Sequence, residues 1–151
     1  MIESNSPFSL HVGIHLKIPS QMAWDLFIQS NQAKWNHALQ SLEATLGFHT
    51  GSMLTLQFQT LRGALKTKLE VIESSPAHSL VLQSHFRHLL FQHTEQWVVR
   101  FHKQETQHSL VEFQYVLSGP FAARVWQEKK LIVNNILNLW LESLKLQSER
   151  L

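Results

Sequence analysis

Residues 108–147 read HSLVEFQYVLSGPFAARVWQEKKLIVNNILNLWLESLKLQ, and the fold turns on a change of period inside this stretch. Before Ser118 the apolar residues alternate. Val111, Phe113, Tyr115 and Leu117 share one face, which predicts a half-buried strand over 108–118. After Gly119-Pro120 the spacing becomes three and four. Ala122, Val125, Trp126, Ile132, Val133, Ile136, Leu137, Trp140 and Leu144 form one stripe, opposite Glu128, Lys130, Asn135, Asn138, Glu142 and Lys145. Pro120 suits the first turn of a helix, where its missing N–H is not needed. A helix from there to about residue 147 is roughly 40 Å long at 1.5 Å per residue, enough to cross a whole sheet.

Upstream, period two dominates. Residues 89–102 set Trp97, Val99 and Phe101 on one face, and counting back by twos adds Glu95, His93 and Phe91. The polar turn Lys103–Gln107 joins this strand to 108–118 as a hairpin, so Glu95 is expected opposite Tyr115 or one pair away. Residues 79–86 turn Leu80 and Leu82 inward. Residues 64–74 place Leu65, Thr67, Leu69 and Val71 opposite Lys66, Lys68 and Glu70. Residues 52–60 carry Leu54, Leu56 and Phe58, and 41–47 form a further strand. At the start, Phe8, Leu10, Val12, Ile14, Leu16 and Ile18 alternate with Ser9, His11, Gly13, His15 and Lys17. Ser20 is the expected N-cap of a helix over 21–29 bearing Trp24, Phe27 and Ile28. Asn31 is the expected cap of a second short helix bearing Trp35 and Leu39. About seven strands with short links predict an antiparallel sheet, hence an α+β fold in which a curved sheet wraps the C-terminal helix.

Length fits one domain over 1–151, with residues 1–6 as a flexible N-terminus. Hydrophobic residues make up 44% and charged residues 16%, a globular balance. The formal charge is +2, and the basic residues are scattered, which argues against a nucleic-acid surface. With no cysteine there is no disulfide framework and no thiol nucleophile, and a cytoplasmic setting is expected. No secretory signal is visible, and Asn134, Asn135, Asn138 and Glu142 interrupt the most apolar stretch, so no membrane span is expected.

The order strand, two short helices, six strands, long helix resembles the START-like superfamily, also called SRPBCC or helix-grip. Ile18-Pro19-Ser20-Gln21-Met22-Ala23-Trp24 is similar to the family's opening, and Trp35 to a tryptophan of its second short helix. Ser118-Gly119-Pro120 is similar to its link into the last helix, and Leu144-Lys145 with Glu149 to the ending of the bacterial cyclase-like branch. Lys103–Gln107 departs from the glycine-rich turn of many relatives. The resemblance implies an apolar cavity between sheet and helix. It does not fix a reaction, since relatives transport lipids, cyclise or dehydrate polyketides, or bind proteins.

The residues expected to line that cavity are Leu56, Phe58 and Leu69 on the middle strands, with Leu82, Phe91, Trp97, Val99, Phe113 and Tyr115 on the later ones. Val133, Ile136 and Trp140 face them from the helix. Glu95, Tyr115 and His93 are the weak candidates for chemistry, with Glu95 expected to have a raised pKa among apolar neighbours. His11 and His15 stand about 13 Å apart at strand spacing and cannot chelate one ion alone, so no metal and no cofactor is expected. Three readings follow. The leading one is binding, or transport, of a small hydrophobic molecule such as a lipid, isoprenoid or polyketide-like aromatic. The second is a cyclase/dehydratase-type enzyme using Glu95, Tyr115 and His93. The third is a protein-interaction module whose large side chains fill the cavity. The sequence does not give the oligomeric state.

Overall fold

The structure, a computed structural model, describes residues 6–89 and 91–151. The expected flexible segment therefore lies almost wholly outside the described residues, and Ser6 itself is tied down, its hydroxyl donating to Leu117 O at 2.8 Å.

Alternation builds the sheet. The strands are β1 (Ser9–Leu16), β2 (Leu39–Ala44), β3 (Met53–Thr60), β4 (Gly63–Ser75), β5 (Ser79–Phe86), β6 (His93–Glu105) and β7 (His108–Ser118). They form one antiparallel sheet in the order β1-β7-β6-β5-β4-β3-β2. Hairpins join β2 through β7 in sequence, while β1 pairs with β7 at the opposite edge from β2. The chain between β1 and β2 must cross from one edge to the other, and α1 (Ser20–Phe27) and a 3-10 turn (Gln32–Lys34) occupy that crossing. The last helix, α2 (Ala122–Ser148), packs on β1, β7, β3 and α1. This is the expected helix-grip arrangement, and burying the apolar stripe of α2 against the apolar sheet face is its main driving force.

The inner face follows parity. Leu54, Leu56 and Phe58, then Leu69, Val71, Leu80, Leu82, Trp97, Val99, Phe113, Tyr115 and Leu117, are buried in one core with Val133, Ile136 and Trp140. Lys66 and Lys68 are exposed on the other face, as are His11 and His15.

Several boundaries differ from expectation. Pro19, not Ser20, is the N-cap of α1, and no side chain caps it. The second short helix is only the 3-10 turn. Trp35 ends it, and Leu39 already belongs to β2, which runs 39–44 rather than 41–47. Pro120 lies in the turn before α2, whose N-cap is Phe121. β6 begins at His93, not 89, because Leu89 takes φ +52° and breaks the extended chain. Phe91 is therefore not on the inner face. It is 44% exposed and packs edge-on against Phe121 at 4.8 Å between ring centroids.

Gly119 makes the entry to α2. Its φ is +103°, and a Cβ there would stand 3.1 Å from His93 Cα and 3.2 Å from Gln92 O. Glycine thus lets the link press against the start of β6, where Phe121 N–H donates to Gln92 O at 3.0 Å. Among the described residues, no helix is long and apolar enough to cross a membrane.

Candidate functional site

The hairpin register puts Trp97 opposite Tyr115 and Val99 opposite Phe113, so Glu95, opposite Leu117, is one inward pair from Tyr115. The sheet thus gathers His93, Glu95 and Tyr115, as their parity predicts. Glu95 is 3% exposed, and Tyr115 is fully buried.

The sequence reading missed the partner that α2 supplies. Lys129 Nζ donates to Glu95 Oε1 at 2.5 Å, and its side chain is 26% exposed against 4% for Glu95. His93 Nε2 stands 3.6 Å from the same oxygen. Lys129 lies four residues from both Val125 and Val133, a lone cation set in the apolar stripe. That position was the available signal.

This pairing reverses the pKa expected for Glu95. Burial alone pushes the carboxyl up, but His93, the Lys129 ammonium and, least of the three, the Tyr115 hydroxyl together outweigh it and hold the group below its ordinary value. Tyr115 moves the other way. Burial first, then the Glu95 charge and the pull of its carboxylate on the hydroxyl proton, push the group far above the ordinary tyrosine value. At neutral pH the site therefore holds a carboxylate and a protonated phenol.

A cluster of aromatic rings lies beside these groups on the inner face. Phe58 stacks on Trp97 at 5.5 Å, and Phe27 stacks on Trp140 at 5.2 Å. Trp97 meets Tyr115 edge-on at 5.1 Å, and Trp97 and Trp140 share Phe58 and Phe113 as neighbours.

Five buried side-chain polar atoms have no hydrogen-bond partner among the described residues: His93 Nδ1, Glu95 Oε2, Trp97 Nε1, Tyr115 OH and Trp140 Nε1. His93, Glu95 and Trp97 alternate along β6, Tyr115 faces Trp97, and Trp140 adjoins Trp97 through Phe58. The residues that carry these atoms are thus neighbours on the inner face, with Phe58 and Phe113 standing between Trp97 and Trp140. The partly exposed Lys129 lies at the Glu95 end of this group. Phe86, which is 47% exposed, stacks on His93 at 5.3 Å there.

A groove of about 730 Å³ lies between α2 and the β3–β4 turn. Leu61, Leu131 and Leu139 form its exposed apolar rim, with Gln59 and Asn135 among its polar walls. Of the residues expected to line a cavity, it shares only Ile136, whose next turn on α2 carries Trp140. The other expected lining residues, Phe91 apart, are packed in the core. Among the described residues, no group of three or more His, Asp or Glu is placed to hold a metal ion. His11 and His102 instead flank Glu112 on the outer face at 2.5 and 2.7 Å.

No protein-family model matches the sequence, and no curated protein matches it. Solved structures do resemble it. The di-domain ARO/CYC StfQ from the steffimycin biosynthetic pathway aligns with a TM-score of 0.71 at 11% identity, over 95% of this chain and 51% of that one. A protein from Mycobacterium smegmatis aligns with a TM-score of 0.70 at 14% identity, over 93% and 90% of the two chains. Ara h 8.0201 aligns with a TM-score of 0.66 at 10% identity, over 95% and 98%. At such low identity the likeness speaks for architecture alone, and it agrees with the element order and strand pairing: the chain has the helix-grip fold.

Proposed function

We propose that this protein binds a small, largely apolar molecule between sheet and helix and holds the molecule's polar end at His93, Glu95 and Tyr115. The observation that carries this reading is the group of unpartnered polar atoms on neighbouring inner-face residues, set among aromatic rings. Buried polar groups in native proteins are nearly all hydrogen-bonded, because an unpaired one costs about 1–3 kcal/mol. A ligand whose oxygen atoms complete several of these groups recovers that cost, while its apolar body lies against Phe58, Trp97 and Trp140. This combination of apolar wall and few polar groups is the usual design of a small-molecule site. The likeness to StfQ, a protein of a biosynthetic pathway, supports a small-molecule ligand only by analogy.

Glu95 is ionised but is a weak base, since its pKa is lowered, and Tyr115 is protonated but is a weak acid, since its pKa is far raised, so neither is tuned for proton transfer near neutral pH. The binding reading is therefore preferred to the cyclase reading. The filled-core reading has its own support in the Phe58–Trp97 and Phe27–Trp140 stacks. Isothermal titration calorimetry with 2-naphthol and with 1-decanol separates the two. Saturable binding of either probe near one per chain, weakened by Tyr115→Phe, supports the proposal. No binding of either up to its solubility limit supports a filled core and overturns it.

A further inference from the structure

This inference rests on the binding proposal and specifies the chemistry of the ligand's polar end. We infer that the site selects an uncharged ligand bearing a hydroxyl over a carboxylate, the hydroxyl accepting from Tyr115 OH and donating to Glu95 Oε2.

The two oxygens of Glu95 are not equivalent. Oε1 takes Lys129 Nζ at 2.5 Å and has His93 Nε2 at 3.6 Å, whereas Oε2 is buried with no partner. Oε2 is thus an acceptor that requires a donor. Tyr115 supplies the opposite need. Its hydroxyl is buried and protonated and lies within reach of the Glu95 carboxylate, but the two do not meet in good hydrogen-bonding geometry, so a ligand hydroxyl set between them improves on their contact. A hydroxyl is the smallest group that answers both, since it donates one hydrogen bond and accepts others.

Other head groups answer only one. A carboxylate accepts from Tyr115 but sets a second anion against Glu95 in a buried setting, where like charges cannot both stay ionised cheaply. Lys129 offsets this only in part, because its single positive charge already balances the Glu95 carboxylate. An ether or ester oxygen accepts from Tyr115 and leaves Oε2 unpaired. Further along the inner face, Trp97 Nε1–H and Trp140 Nε1–H are donors only, so a second ligand oxygen there is best an acceptor such as a carbonyl. The ligand class is therefore a neutral hydroxylated, carbonyl-bearing molecule rather than a free fatty acid.

The test is calorimetric titration of the full chain at neutral pH with three probes of matched shape: 2-naphthol, 2-methoxynaphthalene and 2-naphthoate. The expected result is that 2-naphthol binds roughly tenfold or more tightly than the other two, since sites built to pair a hydroxyl reject analogues lacking it. In Glu95→Gln, the gap between naphthol and naphthoate should close to about threefold or less, chiefly through tighter naphthoate binding. Circular dichroism checks that the variant folds. If it does not, Tyr115→Phe serves instead and should weaken naphthol roughly fivefold or more. Naphthoate binding the natural protein as tightly as naphthol, or a gap unchanged in Glu95→Gln, overturns the selectivity while leaving the binding proposal standing. Failure of all three probes to bind removes the binding proposal, and the selectivity with it.

Discussion

Two clusters among the buried polar side chains of this molecule are built in opposite ways. Near the 3-10 turn, Gln32 Nε2 donates to Phe27 O at 2.7 Å and to Gln29 O at 3.2 Å, and Asn36 Nδ2 donates to Gln32 Oε1 at 3.0 Å. Asn36 Oδ1 accepts from Ala38 N–H, and Ser143 Oγ on α2 accepts from His37 N–H, both at 3.0 Å. Every side-chain oxygen and nitrogen there stitches one piece of chain to another. At the other set, on β6, β7 and α2, only the Glu95–Lys129 contact is closed, and five polar atoms remain open. The first set spends its hydrogen bonds on holding the crossing between β1 and β2. The second leaves most of its own open, as the proposed binding site requires.

The comparison predicts unequal responses to mutation. Asn36→Ala should have the largest effect. It leaves Ala38 N–H and Gln32 Oε1 buried without partners and should lower stability by about 2–4 kcal/mol in urea unfolding. An effect below about 1 kcal/mol would mean that the first set is not the joint described here.

Lys129→Met comes next. Removing one partner of a buried pair strands the other charge, and because Lys129 is partly solvated the loss should be about 2 kcal/mol at neutral pH. The sign of the pH dependence should also change. In the natural protein Glu95 has a folded-state pKa below its unfolded one, so its contribution is present above the unfolded pKa and lost as pH falls through the folded value. In Lys129→Met, burial is expected to outweigh His93 and lift the folded pKa above the unfolded one. The variant should then regain part of its stability on going from neutral to mildly acidic pH, while the natural protein does not. Urea midpoints at two pH values read this directly.

Tyr115→Phe should change stability little, by about 0.5 kcal/mol or less in either direction, because the hydroxyl it removes makes no well-formed hydrogen bond. The same variant should weaken ligand binding, so the open set separates stability from function where the closed set cannot. The smallest effect is expected on the outer face. Glu112→Gln breaks its contacts with His11 and His102, both about half exposed, and should cost about 0.5 kcal/mol or less by thermal unfolding.

Much of the open set was legible in the sequence. Strict alternation fixes which way a strand residue points, so His93, Glu95, Trp97 and Tyr115 could be placed on one wall without coordinates. The same rule failed for Phe91, because parity holds only while the chain stays extended, and Leu89 interrupts it. Lys129 was overlooked for a different reason. A lysine in the run Glu128-Lys129-Lys130 reads as solvated, and only its place in the Val125–Val133 stripe marks it as facing the sheet. The charge of Glu95 followed from that omission, since without Lys129 the burial of the carboxyl has nothing to oppose it. The closed set was not legible at all. Gln32 and Asn36 bond largely to backbone groups that take position only once the turn has formed, and no spacing in the sequence announces that.

The indole N–H groups provide the most direct test. In a nuclear magnetic resonance titration with 2-naphthol, assigned through single Trp→Phe variants, the Nε1–H resonance of Trp97, Trp140 or both should move downfield as the open donors gain an acceptor. That of Trp35, already donating to Gln29 Oε1 at 3.0 Å, should stay in place. Signals of Trp97 and Trp140 that stay fixed at probe saturation, or that shift no more than Trp35, would contradict the account.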